Sequence, residues 1–242
     1  FSTGQCNIHV SIYLKPSREE SLNLLTFIPA LSILTVLQAM GFRGLSIKWP
    51  NDLLVHNKKL AGVLTDNIYQ GSRLQSTILG IGWNINEVNF PMELSEVATS
   101  LALQRESHEQ SLVEENLSRF LNQSSKFTDE PNASNEQKAV KKRHDVSEAK
   151  TWSKTQLLVD FLTHFKRYYE IWEQNPVSLA RQINQYLVGH GKWVKLISMH
   201  HPSSKEEWVR CLGLDAHGFL QVLDNEMEVN TFTYEQIRIQ PE

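Results

Sequence analysis

Two lysines stand beside short apolar segments in the first quarter of this chain. Lys48 lies near the end of the apolar run 45–49, and Lys59 comes directly before the run 60–64. Burying an ammonium group is costly unless an anion pairs with it. A lysine at the edge of an apolar strand therefore suits the binding of a carboxylate or a phosphate, and that anion can belong to a ligand.

Each of these residues also has a purely structural interpretation. Side chains alternate along a strand, so Lys48 can point to solvent while Ile47 and Trp49 occupy the other face. Asn51 and Asp52 follow a proline that ends the strand, and asparagine and aspartate are ordinary turn residues. Spacing alone leaves both interpretations open.

Three motifs occur in a fixed order and are more specific together than any one of them alone. They are Lys-Trp-Pro-Asn-Asp at 48–52, Lys-Leu-Ala-Gly-Val-Leu at 59–64 and Gly-Ile-Gly-Trp-Asn-Ile-Asn at 80–86. In this order they resemble the catalytic domain of the biotin protein ligases. The segment Ala-Thr-Ser-Leu at 98–101 also resembles the part of that family that follows its central sheet.

The resemblance implies a ligase that works in two steps. Biotin protein ligases activate the biotin carboxylate with ATP to give biotinyl-5'-AMP and pyrophosphate. They then transfer biotin to a lysine of the biotin carboxyl carrier domain of a biotin-dependent carboxylase. Both steps gather negative charge, so fixed cations and a Mg²⁺ ion are the expected helpers. In the family, the lysine of the Lys-Leu-Ala-Gly segment reaches the carboxylate and the α-phosphate, and here that catalytic residue is Lys59. Lys58 would point the opposite way in a regular strand.

The resemblance also implies which other residues line the site. Gly62 and Gly80 would let the flat biotin ring lie against the strand backbone, although two bulges would explain these glycines equally well. Asp52 would hold the metal ion. The implied biotin-binding residues are Lys59, Gly62, Leu64, Gly80 and Ile81, and the implied nucleotide-binding residues are Lys48, Asn51, Asp52, Asn84 and Arg238.

One part of the family pattern does not occur in this chain. Biotin protein ligases carry a Gly-Arg-Gly-Arg-type loop just before the strand that here starts near Phe1. We therefore expect this chain to be an N-terminally truncated catalytic domain and, taken alone, a poor catalyst. Two other functions stay open: acyl transfer like that of the lipoate ligases, which share the architecture, and a non-catalytic remnant or docking module.

The pattern of apolar residues predicts how these motifs are positioned. Alternation over 7–14 indicates a half-buried strand, and apolar residues at helical spacing over 30–40 indicate a helix that ends at Gly41. Strands are predicted at 45–49, 53–56, 60–67 and 74–86. They form an antiparallel meander that carries one helix, so the predicted fold class is α+β with a mixed, mainly antiparallel sheet.

The rest of the chain divides into an insertion, helices and a small β-domain. The stretch 122–150 is rich in Ser, Asn, Glu and Lys and predicts a disordered insertion that folding does not need. An amphipathic stripe over 158–172 indicates a helix. Short strands from Trp193 onward resemble the SH3-like C-terminal barrel of the biotin protein ligases. We therefore expect a partial catalytic domain of the class II synthetase-like type at 1–189 and a barrel at 190–242.

Composition narrows the setting in which this protein works. A net charge of −3 and a pI near 6.3 give no electrostatic reason to expect nucleic-acid binding, and the basic run 141–144 lies in polar sequence. The run 22–40 contains several polar residues, which predicts that it does not span a membrane. Cys6 and Cys211 suit a reduced cytoplasm better than a disulfide framework. A homodimer is compatible with the family resemblance.

Overall fold

Five antiparallel strands make the sheet that carries the motifs. The computed structural model describes residues 6–105, 151–198, 207–233 and 236–240. The order of the strands across the first sheet is β1-β5-β4-β3-β2, so the predicted meander is confirmed, with β1 added beside β5. These strands are β1 (Ile8–Leu14), β2 (Leu45–Lys48), β3 (Asp52–Val55), β4 (Lys58–Gln70) and β5 (Arg73–Trp83).

Two parallel bridges attach further segments to this sheet. Ile47 in β2 pairs with Leu187, and Lys59 in β4 pairs with Ala98. All pairs of neighbouring strands within the sheet are antiparallel in the part of the chain that the structure describes. The predicted α+β class with a mixed, mainly antiparallel sheet is therefore confirmed.

The core lies between the first sheet and the helices packed on one of its faces. Helix α2 is apolar around its whole circumference because it is buried between the sheet and α4. Pro29 lies in the first turn of α2, where a helix loses no hydrogen bond by the missing N–H. The helices are α1 (Leu22–Leu25), α2 (Phe27–Ala39), α3 (Met92–Ser95), α4 (Lys154–Gln174) and α5 (Pro176–Asn184).

Helix α4 covers α2 with a narrower apolar stripe. Ser153 caps its N-terminus, because the Ser153 Oγ accepts a hydrogen bond from the Gln156 N–H at 3.3 Å. Phe161 and Trp172 are buried on the stripe, which confirms the predicted amphipathic helix. The indole Nε1 of Trp172 donates to the main-chain oxygen of Ser21 at 2.9 Å, so the end of α4 is fixed to the start of α1.

The stretch Leu22–Ala39, which contains α1 and α2, has the composition of a membrane span. Its mean hydropathy is 1.8, so the stretch is more apolar than its several polar residues suggested in the sequence. However, 72% of the stretch is buried inside the protein, against the first sheet and α4. The apolar composition is therefore explained by its place in the core, where a helix contacts other protein on all sides.

A second sheet of five antiparallel strands follows the helices. Its order is β10-β6-β7-β8-β9, so β9 and β10 are its edge strands in the described part of the chain. Closure of this sheet into an SH3-like barrel stays a prediction, and so does the domain boundary at residue 189. The strands are β6 (Trp193–Ser198), β7 (Glu207–Leu214), β8 (Leu220–Leu223), β9 (Val229–Phe232) and β10 (Ile237–Gln240).

Two contacts fix the second sheet against the rest of the protein. Asn184 at the end of α5 binds Leu214 in β7 twice, since its amide accepts from the Leu214 N–H at 2.7 Å and donates to the Leu214 oxygen at 3.0 Å. In the β7–β8 turn, Gly218 has a φ of +83° and lies against the backbone of α1. A Cβ atom at Gly218 would lie 2.7 Å from the nitrogen of Leu24, so this approach requires glycine.

The predicted insertion at 122–150 lies outside the described residues, but the two described ends of the connection meet. The guanidinium carbon of Arg105 lies 5.0 Å from the ring centroid of Trp152. Trp152 also binds Asn86 twice, through Trp152 N to Asn86 Oδ1 at 2.8 Å and Asn86 Nδ2 to Trp152 O at 3.0 Å. Residue 152 is thus fixed to the first sheet beside residue 105.

Candidate functional site

One face of the first sheet packs on the helices and the other face is open. Along β5, Leu79, Ile81 and Trp83 are buried, whereas Gly80 and Gly82 alternate with them on the open face. The glycines of the third motif therefore lie on the accessible side of the sheet.

A row of five residues, one from each strand, crosses this open face. In order they are His9, Gly82, Gly62, Asp52 and Lys48, each directly opposite the next. Neighbouring strands lie about 4.8 Å apart, so the His9 and Asp52 backbones are separated by roughly 14 Å. The two glycines between them add no side chain, which leaves room for a flat ligand.

The next row widens this surface. Gly80 in β5 lies opposite Leu64 in β4 and Ser11 in β1. Leu64 is 63% exposed, which is high for a large apolar side chain in the middle of a sheet. We call Gly62, Gly80 and Gly82 the glycine floor. With the Leu64 side chain beside it, the floor can contact an apolar ring over its whole face.

A β-bulge at Leu60 places Lys59 on the open face. The register of β3 with β4 shifts so that Leu60 is the extra residue between Ala61 and Lys59. In a regular strand, residues three apart point to opposite faces, so Lys59 and Gly62 would be separated by the sheet. The extra residue reverses this relationship, and the Lys59 side chain lies over Gly62.

Lys59 and Asp52 form an ion pair directly above the floor. The Nζ atom of Lys59 lies 2.5 Å from Oδ1 of Asp52, and the two side chains are 42% and 22% exposed. A Cβ atom at Gly62 would lie 2.9 Å from Lys59 Cε and 3.0 Å from Nζ. A side chain at Gly62 would therefore displace the end of the lysine, a consequence that the sequence did not indicate.

The segment that contains the Ala-Thr-Ser-Leu motif holds the backbone of Lys59. The N–H of Lys59 donates to Val97 O at 2.8 Å, and the N–H of Thr99 donates to Lys59 O at 2.9 Å. Asn84 holds this segment in turn, because its Nδ2 donates to Thr99 O at 3.0 Å and its N–H donates to Leu60 O at 3.0 Å. Asn84 thus supports Lys59, and its predicted nucleotide contact stays a prediction.

The first motif forms the turn between β2 and β3. Lys48 lies opposite Asp52 on the open face, while Ile47 and Trp49 are buried on the other side, as alternation predicts. The Trp49–Pro50 peptide bond is cis. Lys48, Asp52 and Lys59 therefore lie together at one end of the glycine floor. Lys58, by contrast, donates from Nζ to the main-chain oxygen of Ser95 at 3.1 Å.

Two predicted site residues lie apart from this surface. Ile81 is 4% exposed and faces the helices, so it can meet a ligand on the open face only through its backbone. Arg238 lies in β10 of the second sheet, opposite Ile197. The biotin contact predicted for Ile81 and the nucleotide contact predicted for Arg238 stay predictions.

Two residues of β1 belong to the open face but were not singled out from the sequence. His9 and Ser11 lie opposite Gly82 and Gly80. The alternation of β1 indicated that they share a face. What the sequence could not show is that β1 pairs with β5, which brings that face beside the glycines.

A cavity of about 370 Å³ opens at the free edge of β4, beyond the end of β3. It is bounded by α1, by Asn51 and Leu64 from the motifs, and by Phe219 in the turn before β8. Its described lining contains no charged side chain. Asn51 and Leu64 therefore stand between this cavity and the glycine floor.

The donors for a metal ion are few. Among the described residues there is no group of three or more His, Cys, Asp or Glu side chains that could hold one. Asp52 alone faces the floor beside the lysines. A single carboxylate fits Mg²⁺ that takes its other ligands from nucleotide phosphates and water, and it does not fit an all-protein metal site.

Comparison with known proteins agrees with the resemblance. Residues 1–84 match the model of the Biotin/lipoate A/B protein ligase family. The chain is 37% identical over 98 residues to the bifunctional ligase/repressor BirA of Bacillus spizizenii, a match that spans 39% of this chain and 30% of that protein. It is 39% identical over 80 residues to BirA of Bacillus subtilis, spanning 32% of this chain and 25% of that protein. These matches thus span less than a third of the curated relatives.

The similarity of fold extends further than the similarity of sequence. The biotin protein ligase of Aquifex aeolicus, solved in complex with biotin and ATP, superposes with a TM-score of 0.69 at 19% identity. The match covers all of this chain and 82% of that one. The N-terminal third of this chain is thus similar in sequence to the Biotin/lipoate A/B protein ligase family, and the whole chain shares its fold with the biotin protein ligase of Aquifex aeolicus.

Proposed function

We propose that this chain belongs to an ATP-dependent biotin protein ligase that makes biotinyl-5'-AMP and transfers biotin to a lysine of a biotin carboxyl carrier domain. The observation that carries the proposal is the placement of Lys59 over the glycine floor. The bulge at Leu60 brings an ammonium group to one end of a flat surface without side chains. A flat ring on the floor would direct a carboxylate on a flexible chain toward that ammonium group.

The chemistry of the first step needs cations at this end of the floor. A carboxylate oxygen of biotin attacks the α-phosphorus of ATP, an O–P bond forms, and the bond to the leaving pyrophosphate breaks. Lys59 would neutralise both the carboxylate and the α-phosphate, which otherwise repel each other. Lys48 lies in β2, two strands from Lys59, and would balance the remaining phosphate charge.

In the second step the neutral amine of an acceptor lysine attacks the biotinyl carbonyl carbon. An amide bond forms, the C–O bond to AMP breaks, and the nitrogen loses a proton. The same Lys59 ammonium would stabilise the departing phosphate, because the phosphate stays where the first step placed it.

We further propose that Asp52 shares a nucleotide-bound Mg²⁺, and that Asn51, Asn84 and Arg238 serve the nucleotide. Magnesium would neutralise phosphate charge when it binds. Asp52 supports this proposal, since it is a carboxylate on the open face between two lysines. Asn51 and Asn84 each use one side-chain N–H for a main-chain oxygen, which holds their amide groups at this end of the floor.

The setting of the reaction is also a proposal. We propose a cytoplasmic protein, because Cys6 is exposed and Cys211 is buried as a free thiol whose pKa is raised by burial. The partner is the carrier domain of a biotin-dependent carboxylase, and a homodimer is compatible with the fold. We propose a partial catalytic domain at 1–189 and a barrel-type domain at 190–242, in which α5 and its Asn184 fix the second sheet.

The test is exchange of labelled pyrophosphate into ATP by the full-length protein, with biotin and lipoate as alternative acids. Exchange that requires biotin supports a biotin ligase. Exchange that requires lipoate overturns the choice of acid but keeps the chemistry. Absence of exchange with either acid overturns the enzymatic proposal and favours a non-catalytic docking module.

A further inference from the structure

We propose that Asp52 is the internal counter-ion of Lys59 and that the carboxylate of the bound acyl ligand takes its place on the lysine. The inference rests on the proposed function, because it assumes that the ligand is biotin and that its carboxylate reaches Lys59. It gives Asp52 a role in selecting and positioning the ligand, in addition to the metal and nucleotide contacts that the resemblance implies.

The position of Asp52 is the position that a ligand's carboxylate would occupy. Oδ1 of Asp52 lies 2.5 Å from the ammonium nitrogen of Lys59, and the contact lies over Gly62. A carboxylate that arrives along the glycine floor meets Lys59 at the same point. Two carboxylates at one ammonium group repel each other, so the ligand must displace Asp52 or bind less tightly in its presence.

A second lysine lowers the energetic cost of replacing Asp52 by the ligand's carboxylate. Lys48 is directly opposite Asp52 in the β2–β3 ladder, on the same face. Cross-strand neighbours have Cβ atoms about 4.5 to 5.5 Å apart, within reach of a lysine side chain. When Lys59 turns to the ligand, Asp52 therefore keeps a cation beside it. The single ion pair Lys59–Asp52 is then replaced by two ion pairs, Lys48–Asp52 and Lys59–ligand.

The exposure of the pair sets the size of the effect. With 42% and 22% of their side chains exposed, Lys59 and Asp52 are partly screened by solvent, although the contacting Oδ1 atom of Asp52 is itself buried. Exposed ion pairs of this kind change an equilibrium constant by about two- to five-fold. Competition from Asp52 should thus weaken the binding of a carboxylate ligand by about the same factor.

The experiment compares a charged ligand with a neutral one on the same protein. Biotin and biotin amide differ in the carboxylate alone, and their dissociation constants are measured by calorimetry. In Asp52→Asn, the preference for biotin over the amide should rise about two- to five-fold. A ratio of two affinities in one variant cancels any general loosening of the site.

The matched control is Asp66→Asn. Asp66 is exposed, lies on the same face of β4 and is four residues beyond Gly62, so its replacement removes the same charge about 13 Å away. The preference should stay unchanged in this control. An unchanged or lower preference in Asp52→Asn would overturn the proposal, since it would show that Asp52 helps Lys59 to bind the carboxylate or does not influence it.

Failure of the proposed function would look different. If the full-length wild-type protein bound neither ligand, the assignment to biotin would be contradicted. The counter-ion role would then be decided by a double-mutant cycle with Lys59→Met and Asp52→Asn in urea unfolding. A coupling of about two- to five-fold in the unfolding equilibrium constant supports the pair, and no coupling overturns it.

Discussion

Asn51 and Val63 bind each other twice across the end of the β3–β4 ladder. The Val63 N–H donates to the main-chain oxygen of Asn51 at 3.0 Å, and the Asn51 side-chain Nδ2 donates to Val63 O at 2.8 Å. The side chain of Asn51 thus replaces a strand partner for β4 at the point where β3 begins. This pair of hydrogen bonds fixes Asp52 opposite Gly62 and separates the glycine floor from the cavity at the β4 edge.

Asn51→Ala removes one of these two bonds. We expect the free energy of unfolding to fall by about 1 kcal/mol, the net contribution of a hydrogen bond of this kind. Asn51→Asp should cost more, because a carboxylate oxygen would then face the carbonyl oxygen of Val63. Urea unfolding of both variants measures the difference. Wild-type stability in Asn51→Asp would show that the side-chain bond does not hold the strand.

In the full-length protein, Lys59→Ala should abolish most activity while the fold stays intact. The loss of one preorganised donor to a developing anion removes about 2.7 to 4 kcal/mol of transition-state stabilisation. The value of kcat/KM falls accordingly. Stability should change little, since the Lys59–Asp52 pair is partly exposed. Lys58→Ala is the control, because Lys58 contacts Ser95 instead of the floor. Equal activity of the two variants would show that Lys59 is not the catalytic lysine.

The glycine floor predicts different results for two similar substitutions. Gly62→Ala puts a methyl group 2.9 Å from Lys59 Cε and should push the ammonium away from Asp52. Gly80→Ala puts a methyl group 3.9 Å from its nearest neighbours, which is ordinary contact. Both variants should unfold at nearly the wild-type urea concentration.

Biotin binding separates these two glycine variants. Both should weaken the affinity for biotin amide, because each methyl group stands on the surface that the ring would contact. Only Gly62→Ala should also weaken the preference for biotin over the amide, since only it displaces Lys59. Calorimetry with the two ligands measures both effects. Unchanged affinity for both ligands in Gly80→Ala would exclude the floor as the binding surface.

The approach of Gly218 to α1 predicts a large loss of stability. Gly218→Ala combines a φ of +83° with a methyl group 2.7 Å from the Leu24 nitrogen. Gly71→Ala is its control, with a φ of +62° and no atom within 4 Å. The control should lose about 1 kcal/mol of unfolding free energy from the backbone conformation alone. Gly218→Ala should lose about 1 to 3 kcal/mol more in urea unfolding. Equal losses would show that the contact with α1 contributes nothing.

The sequence predicted the elements of the site better than their arrangement. Alternation and turn residues located the strands, and the motifs singled out Lys59, Asp52 and the glycines as candidates. The side of the sheet on which Lys59 lies could not be predicted, because one extra residue at position 60 inverts the alternation. Such a bulge has no signal in apolar spacing, since Leu60 and Ala61 are simply two consecutive buried residues.

The ends of elements were also uncertain where single residues adopt turn conformations. Strand β9 starts at Val229, and Met227, two residues earlier, has a φ of +66° that a strand does not accommodate. Strand β5 ends at Trp83, three residues before the predicted end. Asn84 leaves the strand there because its bonds go to Leu60 and Thr99. Tertiary contacts determine these strand boundaries, so the boundaries cannot be predicted from the local sequence.

The meeting of Arg105 with Trp152 has a consequence for protein engineering. Both ends of the connection 106–150 are held by contacts that do not depend on what lies between them. A segment inserted between these two ends would lower the free energy of unfolding through the entropy of closing a longer loop. Each doubling of the loop length costs about 0.6 kcal/mol. A whole reporter domain with adjacent termini could therefore be inserted at this point, and its thermal melting beside that of the uninterrupted protein would measure how little the host fold depends on the guest.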